Sequence, residues 1–201
     1  MEIFDKINGY YNKLIEQNGY DPRSCDYGHP ASQQIKFKTL ADTIDFNNKS
    51  VLDVGCGFAD FSTYLDSRFT NVQYTGVDIS DGMVKVAKEK HPNKNIQKLN
   101  ILETNPNGQF DIVTANGIFY LLGEHAQQLT QELIKKMFSL AGEVVLFNSL
   151  SNLAPNQESG EFYADPAEML RFCQKLSPWL KLRHDYHPND FTIALFKNRQ
   201  T

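Results

Sequence analysis

The sequence predicts a doubly wound α/β fold: a mostly parallel seven-stranded sheet with a C-terminal antiparallel hairpin and an N-terminal helical lid. Three observations predict it. The stretch VLDVGCGFADFSTYL (51–65) joins a short apolar strand to an amphipathic helix through a glycine turn. Strand-like and helix-like segments then alternate at intervals that suit crossovers between parallel strands. At the C-terminal end, WLKLRHDY and FTIALFK are joined by His187, Pro188, Asn189 and Asp190, a connection so tight that the two must pair antiparallel.

Each element follows from its own pattern. MEIFDKINGYYNKLIEQ alternates charged and apolar residues as a surface helix does, and NGYDPRSCDYGHPAS (18–32) collects Gly, Pro, Asn and Asp as a loop. In QQIKFKTLADTID (33–45), Ile35, Leu40 and Ile44 recur at near-helical spacing, and Asn47 and Asn48 then turn the chain into the opening strand. YTGVDI (74–79), NIQKLNI (95–101), FDIVTAN (110–116) and EVVLFNSL (143–150) read as further strands. GMVKVAKEKH (82–91), HAQQLTQELIKKMFSL (125–140) and ADPAEMLRFCQKL (164–176) read as helices. His91 and His125 fall at helix boundaries. No internal repeat or low-complexity segment interrupts the pattern. The expected organisation is one domain over 1–201, with helices and lid at 1–46 and a cofactor-binding core at 47–201.

Composition narrows the function. The 201 residues include 41% hydrophobic side chains, enough for a full core, and the net charge of −4 leaves no excess positive field for a phosphate backbone. Nucleic acid is therefore not an expected partner. Cys25, Cys56 and Cys173 form no Cys-x-x-Cys pair, which argues against a zinc site or a disulfide framework and suits a reducing cytoplasm. No apolar run approaches the ~18 residues of a membrane span. The expectation is a cytoplasmic protein, monomeric or homodimeric, with no metal and no membrane partner.

In a doubly wound sheet, ligands bind beyond the carboxyl ends of the strands, where strand order reverses, and the 51–65 turn lies there. Glycine admits positive φ and close approach, and the free N–H groups of the following helix favour an electron-rich ligand. The turn is thus either a cofactor cradle or simply a tight turn. Asp78, at the end of the second strand, is placed either to accept two ribose hydroxyl hydrogen bonds or to cap the helix after Ser80 and Asp81.

VLDVGCG, GVDIS, KLNIL and FDIVTANGIFYLL, in that order, resemble the class I S-adenosylmethionine-dependent methyltransferases, a Rossmann-like family. The resemblance covers roughly residues 50–150, and the terminal hairpin also suits that fold. It implies that Asp53, Gly55 and Gly57 meet the methionine part of S-adenosylmethionine and that Asp78 holds the ribose. It further implies that Ile79 and Met83 flank the adenine, that Asn100 lies near its amino group, that Ile101 is a further cofactor contact, and that Asn116 and Gly117 close the site beside the methyl. Ala59 stands where many members have a third glycine. A nicotinamide-binding domain fits less well, because its glycine pattern fails at Asp60. Two other readings remain open: an RNA or protein methyltransferase, and a non-catalytic cofactor-binding regulator.

The acceptor, expected to be a small molecule methylated on oxygen or nitrogen by in-line displacement, would lie among the segments that cover the strand ends. Those segments carry Tyr10, Tyr11, Tyr20, Asp26, Tyr27 and His29 in the lid, Phe119 and Tyr120 after Asn116, and Asn148 and Tyr163 after the fifth strand. Of these, Tyr11, Tyr27, Phe119, Tyr120, Asn148 and Tyr163 are the candidate acceptor contacts, with ordinary aromatic packing as the alternative. Lys36 is a candidate partner for the cofactor's carboxylate, or a solvated surface lysine. His29 and His184 are the candidate general bases, since an unperturbed histidine titrates in the working range.

Overall fold

The computed structural model describes residues 2–27 and 30–200. Seven strands form one sheet in the order β3-β2-β1-β4-β5-β7-β6: β1 (Ser50–Val54), β2 (Gln73–Asp78), β3 (Asn95–Lys98), β4 (Phe110–Ala115), β5 (Ala141–Leu150), β6 (Leu180–His187) and β7 (Asp190–Phe196). Strands β1 to β5 pair in parallel, while β7 runs antiparallel to both β5 and β6. The chain winds outward from β1 to β3 and restarts at β4 on the other side of β1. That reversal leaves a crevice at the carboxyl ends of β1 and β4.

Among the described residues, six α-helices pack around the sheet: α1 (Glu2–Asn18), α2 (Pro30–Ala41), α3 (Asp60–Asp66), α4 (Asp81–Lys90), α5 (Ala126–Leu140) and α6 (Pro166–Gln174). Side chains alternate across the strands and sort the core into two layers. Leu52, Val54, Val113, Val145 and Phe147 pack with Leu133, Ile134 and Met137 of α5 and with Met169 and Phe172 of α6. Val51, Ile112, Val144 and Leu146 face the other way, onto Phe37 and Leu40 of α2, Phe61 and Leu65 of α3, and Val84 of α4. Burial on both faces is why the strands read as nearly continuous apolar runs.

Local chemistry sets the helix starts. Ser80 caps α4 by accepting from Met83 N, and Asp165 caps α6 by accepting from Ala167 and Glu168 N, with Pro166 in the first turn. Ala59, in place of a third glycine, precedes α3 with φ 61°, a left-handed conformation that costs an L-residue ~1 kcal/mol.

Three expectations about elements change. The strand expected over 95–101 stops at Lys98: Leu99 N makes a last bond to Asp78 O of β2, and Asn100 Oδ1 then accepts from Leu102 N, making a local turn. The second helix spans 30–41 rather than 33–45. The 18–32 loop holds a 3₁₀ turn, Pro22–Cys25, capped by the Asp21 side chain. In the hairpin, which pairs antiparallel as expected, the register shifts between Arg183 and His187.

Candidate active site

A cavity lies at the carboxyl ends of β1, β2 and β4, roofed by α1 and the 19–27 segment. Its floor is the glycine turn, where Gly55 (φ 68°) and Gly57 (φ 55°) take left-handed conformations. A Cβ on Gly55 would come within 2.3 Å of Ile118 Cγ2, so this position must be bare for the loop after β4 to close against the turn. Ile79, Met83, Asn100 and Ile101 line one end, and Asn116, Gly117 and Ile118 line the other.

Two buried carboxylates face this space. Asp78 Oδ2 accepts from Gly57 N and Oδ1 from Ser80 N, both at 2.8 Å, so the acid ties the glycine turn to the start of α4. Ser80, rather than Asp78, is the cap of α4. The Asp78 carboxylate lines the cavity. Burial raises its pKa, and the backbone hydrogen bonds oppose that rise. Asp53 is held from beneath by Tyr74 Oη (2.6 Å) and Thr114 Oγ1 (2.8 Å). Burial outweighs these bonds and pushes its pKa up to about 6.

The roof is fastened by phenols on carboxylates. Tyr10 and Tyr120 both donate to Asp26 Oδ2, at 2.8 and 2.7 Å, and the Tyr11 and Tyr120 hydroxyls are 2.9 Å apart. Tyr20 donates to Asp60, which Gln33 also approaches. Helix α1 is docked separately: Asn8 and Asn12 accept from Asp81 N and Gly82 N at the start of α4. A Cβ on Gly82 would meet Asn12 Oδ1 at 2.7 Å, so the absent side chain lets the two helices approach.

Every residue expected around the cofactor lines this cavity except Lys36. Lys36 is buried in an ion pair with Asp190 (3.0 Å) and does not reach the cavity. Among the acceptor candidates, Tyr11 and Tyr27 line it. Phe119 does not; it is core, edge-on to Phe147. Tyr120 stands behind Tyr11, and Asn148 stands behind Asn116 and is completely buried. Tyr163 lies in a separate polar depression with Gln127, Gln131 and Glu168, bonded to Glu161 and Glu158 N. His184 packs edge-on against Phe191 on the outer strand, away from the cavity, so its place as base is withdrawn. His29 falls outside the described residues.

Sequence reasoning did not single out Phe4, Ile7, Cys25, Gln33, Asp60, Ile118 or Leu121, all of which line the cavity. The apolar spacing of Phe4, Ile7 and Tyr11 along α1 was the available signal. Burial raises the Cys25 thiol to about 12, which makes it a wall rather than a nucleophile.

A glycine turn after β1, an acid ending β2 and a cavity at the switch point define a Rossmann-like cofactor-binding fold. The family described as "Methyltransferase domain" matches residues 51–138. Malonyl-[acyl-carrier protein] O-methyltransferase 1 of Ilyobacter polytropus is 30% identical across 98% of this chain and 75% of its own length. Malonyl-[acyl-carrier protein] O-methyltransferase of Acetivibrio thermocellus is 31% identical over 61% of this chain, which spans only 46% of that protein. The crystal structure of magnesium protoporphyrin IX methyltransferase from Synechocystis PCC 6803 with bound S-adenosylmethionine has the same fold, with a TM-score of 0.68 over 97% of both chains at 15% identity. The chain belongs to the S-adenosylmethionine-dependent methyltransferases. S-adenosylmethionine is its cofactor.

Among the described residues, no helix is long and apolar enough to cross a membrane, and no three His, Cys, Asp or Glu side chains cluster to hold a metal.

Proposed function

We propose that the protein transfers the methyl group of S-adenosylmethionine to an oxygen of a small-molecule acceptor held under the α1 roof. The observation that carries this reading is that one cavity brings together the glycine turn, Asp78 and the polar tips of Tyr11, Tyr27 and Asn116. Transfer to oxygen is favoured over nitrogen by the names of the two malonyl-protein O-methyltransferases it resembles. When bound, the cofactor supplies a methyl group already activated on a sulfonium sulfur.

The residues present fit that group. Asp78 offers its carboxylate to the ribose hydroxyls, and the turn at Gly55 and Gly57 leaves bare backbone for the methionine part. Asp53 offers its carboxylate to the ammonium. Ile79, Met83 and Ile101 form apolar walls for the adenine, with the polarisable Met83 sulfur suited to an aromatic face. Asn100 is less free than expected, since its oxygen already accepts from Leu102 N and its amide donates to Glu103; one lone pair remains for the adenine amino group.

In-line displacement needs alignment above all, and Tyr11, Tyr27, Asn116 and the tyrosine–carboxylate roof supply it by ordering the acceptor and excluding water. The test is transfer of labelled methyl from S-adenosylmethionine to fractionated small molecules from a cell extract. Alkali-labile methyl incorporation marks an ester and supports oxygen. Label that enters only RNA, or protein other than an acyl group on a carrier, or no product at all, would sink the reading.

A further inference from the structure

The two phenols that line the cavity present opposite hydrogen-bonding faces to it, and the bonds behind them fix which is which. Gly117 N donates to Asn148 Oδ1 at 2.8 Å. A backbone N–H can only donate, so the Asn148 amide is oriented with Nδ2 toward Asn116 Oδ1, the contact the structure holds. That orients Asn116 in turn, whose Nδ2 donates to Tyr27 Oη at 2.8 Å. The Tyr27 oxygen is therefore the acceptor of that bond, and its own hydrogen is left over. Among the described residues no protein group takes that hydrogen. Asn148 is completely buried, so reversing the chain would set its NH₂ against the Gly117 N–H and leave buried donors unpaired. Burial also holds the Tyr27 phenol well above its ordinary range, so it keeps the hydrogen. Successive amides polarise one another and strengthen the terminal donor.

Tyr11 is the reverse case. Tyr120 spends its only hydrogen on Asp26 Oδ2, so in the Tyr11–Tyr120 contact it is Tyr11 that donates. Tyr11 has only lone pairs to offer the cavity.

We propose that Tyr27 is the anchor for a carboxylate oxygen of the methyl acceptor, its hydroxyl aimed by the Gly117–Asn148–Asn116 chain. This rests on the reading of the cavity as a methyltransferase site for small acceptors. A carboxylate suits it on two counts. It accepts where Tyr27 donates and does so with a negative charge, whereas an ammonium would face a donor with a donor. It is also already anionic near neutral pH, so one of its oxygens can take the methyl without first losing a proton. No histidine among the described residues lines the cavity to remove one. In the transfer the carboxylate oxygen pair forms the new O–C bond, the C–S bond breaks with its pair left on sulfur, and no proton is released.

The test uses the full chain saturated with S-adenosylhomocysteine, with malonate as the probe and malonamide as its neutral counterpart. Malonate is expected to shift the ¹³Cζ resonance of Tyr27, and Tyr27→Phe to weaken malonate by at least about tenfold, the scale of a hydrogen bond to a charged group. Asn148→Asp gives an independent arm. The introduced carboxylate accepts from both Gly117 N and Asn116 Nδ2, Asn116 Oδ1 then accepts from Tyr27, and the hydrogen turns away from the cavity; malonate should weaken here too. Equal malonate affinity in wild type and Tyr27→Phe, malonamide binding as tightly as malonate, or no Tyr27 response to millimolar malonate each overturns the proposal. Failure to bind S-adenosylhomocysteine would instead count against the functional reading beneath it.

Discussion

Replacing Asp78 by Ala removes two things that the structure separates. The first is internal: Gly57 N and Ser80 N, each 2.8 Å from a carboxylate oxygen, lose their acceptor. At ~1–2 kcal/mol for each orphaned donor, the variant loses ~2–4 kcal/mol of stability, or ~4–15 °C in melting temperature for a chain this size. Burial opposes ionisation of Asp78, so the net loss lies toward the lower end. A domain with ~5–15 kcal/mol to lose stays folded at 15 °C. The second is the ribose: a charged acceptor for hydroxyl groups is worth ~1.5–3 kcal/mol, or ~10–150-fold in affinity. Calorimetric titration with S-adenosylhomocysteine at 15 °C, with circular dichroism to confirm folding, reads the two apart. Asp81→Ala is the control, because Asp81 is exposed, pairs with Lys98 and does not line the cavity. If folded Asp78→Ala binds the ligand within twofold of wild type, Asp78 is a brace for the turn and nothing more.

Asp53 predicts a pH dependence. Its folded pKa of about 6 lies above the unfolded value, so its contribution to stability is most favourable below the unfolded pKa and declines as pH rises toward 6. Binding runs the other way, since only the ionised form attracts the ligand's ammonium. Affinity for S-adenosylhomocysteine should therefore fall by up to ~tenfold between pH 7 and pH 5, and Asp53→Asn should flatten that part of the profile. An unchanged slope in the variant would move the effect to another group. Asp26→Asn replaces the carboxylate on which Tyr10 and Tyr120 converge with a neutral amide. Because Asp26 is exposed, the expected loss of stability is small, ~1 kcal/mol or less, but ligand dissociation should quicken ~3–10-fold and the 19–27 segment should be cut faster by protease. Stopped-flow release and limited proteolysis that both match wild type would mean the phenol cluster does not fasten the roof.

The fold and the floor of the site were legible because both are local signals. β1, the glycine turn and α3 sit in one contiguous stretch, and the period of the apolar residues changes within it from strand to helix. Asp78 was legible because a strand end after a glycine turn is a position, not a partnership. The roof was only half legible. The lid tyrosines stood out by composition, but nothing local indicates that Tyr120 bonds Asp26 or that Tyr20 bonds Asp60, because those partners are brought together only when α1 folds over the strand ends. Phe119 and Tyr120 adjoin in sequence, yet one is core and the other faces the roof; a turn, unlike a strand, has no fixed period from which to tell them apart.

The hairpin carried the strongest false signal, and its chemistry explains why. RHDYHPND gathers histidines and carboxylates as a catalytic cluster would, and the structure does bring His187 Nδ1 within 2.8 Å of Asp190 Oδ2, but that nitrogen accepts from Asn189 N and gives the oxygen no hydrogen bond. The other Asp190 oxygen meets Lys36 Nζ at 3.0 Å, and Asp190 is only 2% exposed. A carboxylate so buried requires its charge to be met, and Lys36 from α2 meets it. The pair therefore fixes α2 to the end of the sheet at which β7 begins beside the last residue of β5. The Lys36 ammonium lies 5.4 Å from the centre of the Tyr27 ring, and Gln33, one turn earlier on α2, lines the cavity. Lys36, which reads in sequence as a cofactor clamp, thus holds one wall of the site in place through Asp190. The Lys36 and Asp190 charges are spent on each other rather than presented to the cavity.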